Sequence, residues 1–188
     1  MLSLEQCIHK ICPIPEKELA ILKEHFTTVN YRAKTIISSN KRNARKLYFV
    51  GKGLMRSYFE RNEKETTLWI VWEGDFVIFL PERNDGISSI ENIQLLEDST
   101  LYEINYATFK ELCDQYPAIY KVYSKFLEDS YLYFENRVLN LQFKTAKEIY
   151  FEMVKNYGHI VQRLPLHILA SYLGVTKERL SRIRAEKK

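Results

Sequence analysis

The chain reads as an α+β protein: an N-terminal antiparallel β-roll of the jelly-roll kind, one long helix, and a C-terminal helix-turn-helix. Three observations lead there. Short β-branched and aromatic runs, separated by turn signals, fill residues 29–104. A heptad-spaced apolar row runs through residues 117–141. Residues 166–184 combine helical apolar spacing, a glycine corner and a basic outer face.

Residues 2–26 read as helical, broken at 12–15 by Pro13 and Pro15, with Leu19, Leu22 and Phe26 as a short apolar stripe. From Val29 the period changes. Strands are expected at 35–37, 46–50, 54–59, 66–72, 76–80, 90–95 and 100–104, all rich in β-branched or aromatic residues. Turn signals part them: Ser39-Asn40, Gly51 with Gly53, Arg61-Asn62, Glu73-Gly74-Asp75, residues 84–86 and Glu97-Asp98. Regular short strands of this kind predict an antiparallel barrel or jelly roll. The basic cluster Lys41, Arg42, Arg45 and Lys46 is read as a solvated loop.

Tyr106 opens a further helix in which Phe109 and Leu112 pack back, and Pro117 suits the first turn of the next. That long helix runs to about Leu141. Tyr120, Ser124, Leu127, Tyr131, Phe134, Val138 and Leu141 are spaced by alternating fours and threes, a heptad seam. A second row, Ile119, Tyr123, Phe126 and Tyr133, makes the helix apolar on two sides. One side can cover the β domain; the other needs a second partner. The simplest partner is the same helix of another chain, giving a two-fold dimer. The competing reading is a helix sandwiched wholly within one chain. Residues 145–157 form an amphipathic helix with Ala146, Ile149, Tyr150, Met153 and Val154 inward, ended by Gly158, and residues 160–165 are expected to be extended.

Leu166, Leu169, Ala170 and Leu173 then share a helical face. Gly174 is placed to end that helix in a left-handed conformation, Val175 plugs the corner, and Thr176 is a cap for a second helix. There, Leu180 and Ile183 face inward, which leaves Lys177, Glu178, Ser181, Arg182 and Arg184 outside. Ala170 matters because two helices crossing steeply at a short turn need a small residue where they approach. The second helix of such a pair can enter the DNA major groove. Arg or Lys can donate to guanine, Glu can accept from the cytosine amino group, and Thr176 can meet a phosphate at the helix start. An ordinary packed helix pair shows the apolar spacing too, but not the small residue, corner, cap and basic face together.

Charge supports this placement. The net charge of +4 is uneven: residues 163–188 hold seven basic and two acidic residues, +5, and the other 162 residues sum to about −1. A phosphate-facing surface requires such a concentration. No apolar run approaches the ~20 residues needed to span a bilayer, and no charged-then-apolar leader opens the chain, so a cytoplasmic protein without membrane partners is expected. Three cysteines make no disulfide framework.

The order of parts resembles the catabolite activator (CRP)/FNR superfamily of bacterial transcription regulators. The resemblance rests on residues 49–58, on Glu73-Gly74-Asp75, on residues 96–104 and, most specifically, on residues 168–184. It implies a cyclic-nucleotide-binding-like β-roll sensor domain over 1–115, a dimerisation helix over 116–141 and a winged-helix-like DNA-binding domain over 142–188. It further implies a homodimer on a pseudo-palindromic double-stranded DNA operator, with RNA polymerase as a further partner. Lys177, Glu178 and Arg182 match the positions that read base edges in the family, with Ser181 and Arg184 beside them and Thr176 at the phosphate. Tyr120, Leu127, Tyr131, Phe134, Val138 and Leu141 form the expected dimer interface. Since the sequence stops soon after the second helix, the usual β-hairpin wing is expected to be missing, as in a subgroup of these regulators.

The resemblance departs from the family at the ligand. Cyclic-nucleotide binders hold the phosphate with a Gly-Glu segment followed by an Arg-Ser pair, and residues 81–90 carry Ser88 and Ser89 but no such pair. Arg83 and Arg56 are cations off the motif position. Cyclic AMP is therefore not expected, and another small-molecule effector, or none, is open. FNR-type iron–sulfur sensing needs four thiolates, whereas Cys7, Cys12 and Cys113 are three. His9 and His25 lie outside the roll, and His159 and His167 lie in or beside the DNA domain, so neither haem, another cofactor nor a metal is expected. No phosphate-cradling loop, metal pair or nucleophile elbow suggests an enzyme, and a metal-dependent roll enzyme would need His between Thr35 and Ile104, where there is none. The remaining alternative is a small-molecule sensor whose terminal helices make protein contacts.

Overall fold

The computed structural model describes residues 1–38, 46–61, 64–78 and 91–186. Helix α1 (Leu4–Ile11) starts at Ser3, whose side chain accepts from Gln6 N–H while Gln6 reaches back to the Ser3 N–H. Cys12 to Pro15 break the helix, and α2 (Glu16–His25) follows Pro15. Phe26 is the C-cap of α2 rather than part of its body, and β1 (Thr27–Tyr31) follows at once. This strand precedes those expected from the sequence. Its paired ladder with a later strand, not local composition, makes it one.

The remaining strands are β2 (Ile36–Ser38), β3 (Lys46–Lys52), β4 (Met55–Arg61), β5 (Lys64–Val71), β6 (Phe76–Ile78), β7 (Glu91–Leu95) and β8 (Ser99–Asn105). They make two antiparallel four-stranded sheets, ordered β1-β8-β3-β6 and β2-β7-β4-β5, the jelly-roll arrangement expected. Ile37, Tyr48, Val50, Met55, Val71, Val77, Ile93, Leu95 and Leu101 fill the space between the sheets. Two local expectations change. Gly51 continues β3, close against the Tyr102 ring, where a Cβ would stand 2.8 Å from Cε2; the chain turns instead at Gly53, with φ +126°. Lys46, read as part of a solvated loop, opens β3 and pairs with Glu103. Lys41, Arg42 and Arg45, the turns at 39–40 and 84–86, and the 81–90 segment lie outside the described residues.

Helix α3 (Tyr106–Gln115) is capped by Asn105, and Pro117 opens α4 (Pro117–Phe143). The first turns of α4 bury Ile119, Val122 and Tyr123 against α1–α3 and the roll, and Phe126 meets Phe76 edge-on at 4.4 Å. Tyr133, expected on that same side, instead hydrogen-bonds the Tyr172 hydroxyl at 3.1 Å.

Helix α5 (Ala146–Arg163) begins at the Thr145–Glu148 capping box. The expected break beside Gly158 is present, at Tyr157, but residues 160–163 beyond it are helical rather than extended. The helix is kinked at Tyr157 (φ −137°, ψ 35°) and then resumes, because Ile160 and Val161 are buried in the C-terminal core. Packing of those two residues restarts the helix after the break. Val154, expected inside, is 39% exposed. Helices α6 (Leu166–Leu173) and α7 (Lys177–Ala185) complete the chain's described part. With α5 they form a second core that also takes in Leu54 and Ile70 from the roll.

Candidate nucleic-acid interface and the sensor interior

The corner between α6 and α7 is built as the sequence predicts. Gly174 adopts the left-handed conformation (φ 69°) without strain, and the Val175 N–H donates to the Ala170 carbonyl at 3.0 Å. Thr176 Oγ1 accepts from the Arg179 N–H at 3.2 Å, capping α7. Ala170 is buried where the helices cross, and Leu180 and Ile183 are buried beneath α7. Thr176, Lys177, Glu178, Ser181, Arg182 and Arg184 are all exposed.

Among the described residues, Lys177, Arg182 and Arg184 have no ion-pair partner, and neither has Arg179, an exposed cation of the same helix. Arg179 is absent from the expected set, although the inward spacing of Leu180 and Ile183 was the signal that places it outside. Glu178 differs from these cations. Its own backbone N–H at the helix start, and then the Thr176 hydroxyl, hold its carboxyl below the ordinary range. The net result is a positive face with one acceptor near the helix start.

A second exposed surface runs along α4. Tyr120, Leu127, Tyr131, Phe134, Val138 and Leu141 are between 40% and 64% exposed, a continuous apolar stripe on one side of the helix. Ser124, the seam's small polar member, donates to the Lys121 carbonyl.

Among the described residues, strands β4 and β7 turn two polar side chains, Ser57 and Glu91, to the roll interior. Ser57 pairs with Ile93 across the ladder, so it faces the same side as Met55, Ile93 and Leu95, which is the interior. Its hydroxyl donates to the Glu91 carboxylate, two residues before Ile93 on that same side. Arg56, the cation weighed for phosphate binding, points the other way. It pairs with Ile70 and Gln94, and Ile70 belongs to the core shared with α5–α7. Arg56 is buried on the outer face of the sheet, donating to Gln94 at 2.8 Å and ion-paired with Glu65. Arg83 lies outside the described residues.

The three cysteines are buried and unlinked. Burial pushes the Cys7 and Cys113 thiols up to about 11, which suits structural rather than reactive thiols. The described residues hold no group of three or more metal-ligating side chains, and no helix among them is long and apolar enough to cross a membrane.

Residues 28–116 match the cyclic nucleotide-binding domain family. Solved structures resemble nearly the whole chain. A variant of CooA from Carboxydothermus hydrogenoformans is 22% identical over 98% of this chain and 85% of its own, with a TM-score of 0.72. FixK2 from Bradyrhizobium japonicum is 19% identical over 85% and 83%, with a TM-score of 0.70. CLP from Xanthomonas campestris, described as a global regulator responsive to c-di-GMP, is 17% identical over 91% and 90%, with a TM-score of 0.67. No curated protein sequence matches significantly. The family match and these likenesses bear out the α+β fold of roll, long helix and further helices in the CRP/FNR arrangement.

Proposed function

We propose that this chain, a cyclic nucleotide-binding-type domain joined to a helix-turn-helix in the fold of the CRP/FNR-type regulators, is a homodimeric DNA-binding transcription regulator and not an enzyme. Residues 1–115 would sense, 116–141 dimerise and 142–188 bind DNA. The exposed, unpaired cations of α7 above a buried Leu180 and Ile183 carry the reading. Lys177 and Arg182 are suited to guanine O6 and N7, and Glu178 to the cytosine amino group. Ser181 and Arg184 stand beside them, and Thr176 meets a phosphate at the start of α7, where free N–H groups and the dipole favour an anion. Two copies joined along the α4 stripe would present two α7 helices to successive major grooves, about 34 Å or ~10 bp apart or multiples of that. RNA polymerase is the partner such a regulator would address once on DNA.

Cyclic AMP is not the effector of this reading; another small molecule, or none, fills that role. Ser57 and Glu91 face the roll interior and Arg56 faces away from it, so the β4–β7 strand pair offers an interior phosphate no cation. The same argument applies to c-di-GMP, to which CLP responds.

The direct test is fluorescence anisotropy on DNA from the gene's own upstream region, across a salt series. Affinity should fall steeply with salt, its slope counting the phosphates neutralised, and should persist to higher salt on one duplex than on scrambled DNA. No binding at any salt, with or without a small-molecule library, would refute the reading.

A further inference from the structure

Helix α6 is held on two sides by neighbouring residues. Strand β5 is the open edge of its sheet, so half of its backbone groups face away from β4. The Ser171 hydroxyl fills that gap: it accepts from the Thr67 N–H at 2.9 Å and donates to the Glu65 carbonyl at 3.0 Å. One hydroxyl thus takes the place of a partner strand at this step of the edge. The next residue of α6, Tyr172, is held by α4: the Arg137 guanidinium stacks over its ring at 3.8 Å and donates to its carbonyl, and Tyr133 meets its hydroxyl.

The same two residues of β5 are gripped from below. Arg56 pairs with the Glu65 carboxylate, donates to the Thr67 hydroxyl at 3.4 Å and lies over the Tyr58 ring at 4.2 Å. Arg56 is next to Ser57, whose side chain faces the roll interior with Glu91. Successive residues of one strand therefore touch the interior on one face and, on the other, the side chains of the two residues whose backbone Ser171 binds.

We propose that Ser171 and the Glu65–Thr67 edge form a joint through which the sensor sheet reports directly to the DNA-reading helices, in parallel with α4. A shift of β4 caused from the interior moves Arg56. Arg56 moves Glu65 and Thr67, and the paired hydrogen bonds of Ser171 transmit this to α6 and so to the orientation of α7. The reading face of α7 is free in the docked arrangement, so the joint orients the reader and does not cover it. The joint is a matter of contacts within the chain; its regulatory meaning rests on the DNA-binding reading above.

The test is a double-mutant cycle on the full-length protein, Ser171→Ala and Glu65→Gln, read by hydrogen exchange over residues 64–71 and 166–185. Both side chains can be changed without opening a core, and thermal melting verifies that each variant folds. Ser171→Ala should speed exchange at the Thr67 amide about fivefold, the worth of one ordinary hydrogen bond. Glu65→Gln, which loosens Arg56, should speed exchange in α6 and α7 in the wild-type background but not with Ala at position 171. Equal effects of Glu65→Gln in both backgrounds, or an unchanged Thr67 amide in Ser171→Ala, would overturn the joint. Anisotropy on DNA separates the two ideas. Coupled exchange in a protein that never binds DNA supports the joint and removes the regulator reading; DNA binding with uncoupled exchange does the reverse.

Discussion

The C-terminal half of α4 and the outer face of α7 are both exposed, yet their chemistry is opposite. One carries Leu127, Tyr131, Phe134, Val138 and Leu141; the other carries Lys177, Ser181, Arg182 and Arg184. Water penalises the first surface and solvates the second. An exposed apolar stripe with heptad spacing is explained by another apolar surface of matching length, and a second copy of α4 is the simplest one. An exposed cationic face is stable alone, and the proposed reading explains it by what it would attract, a dense row of phosphates. The difference teaches that exposure is informative about a partner when joined to chemistry: on the proposed reading the α4 face addresses protein and the α7 face nucleic acid.

That contrast can be broken experimentally, beginning with the largest effect. Phe134→Asp places a charge in the middle of the α4 stripe and should convert a dimer to monomers, seen by light scattering or sedimentation. A dimer that persists would remove the stripe from the interface. Leu180→Ala attacks the support of α7 rather than its face, and should cost about 2–5 kcal/mol in denaturant unfolding because the site is fully enclosed. Arg182→Ala should cost about 1–3 kcal/mol on the cognate duplex with unfolding unchanged, since the side chain is exposed and unpaired. An unchanged binding profile would take Arg182 out of the reading set.

The smallest expected effect lies between the two regions. Arg163 binds Glu73 through both of its terminal nitrogens, at 2.8 and 3.0 Å, and also pairs with Glu97, fastening α5 to the roll. Burial raises the Glu73 carboxyl, but the Arg163 hydrogen bonds, with the Gly53 N–H, outweigh it and bring it down to about 2. A carboxyl lowered on folding contributes stability above its unfolded value, near 4.5, and loses it as pH falls toward about 2. Arg163→Ala should therefore flatten the acid side of the stability profile over that window, measured by melting at stepped pH. An identical profile would show that the pair does not hold the two regions together.

Much of the candidate site was legible in the sequence because its signals are local. Gly174 at a left-handed corner, Thr176 as a cap and the i, i+3 spacing of Leu180 and Ile183 each depend on a few neighbouring residues. The α4 stripe was legible for the same reason: helical periodicity alone places its residues on one face. Three features were not. The β1 strand, the helical run after Gly158 and the outward aim of Arg56 all depend on residues far away in the chain.

The sequence by itself determined the order of the elements, the corner and cap of the helix pair, and the two opposite exposed faces, since periodicity, turn chemistry and charge act over a turn or two. Tertiary structure alone decided where the elements meet. Strand pairing sets which side of the sheet Arg56 and Ser57 occupy, and a shift of one residue would exchange them. The core shared by Leu54, Ile70, Ile160 and Leu169 sets where α6 docks, and with it the meeting of Ser171 and β5. Those contacts join residues about 100 positions apart, and no local signal in the chain foretells which distant backbone group a serine will reach.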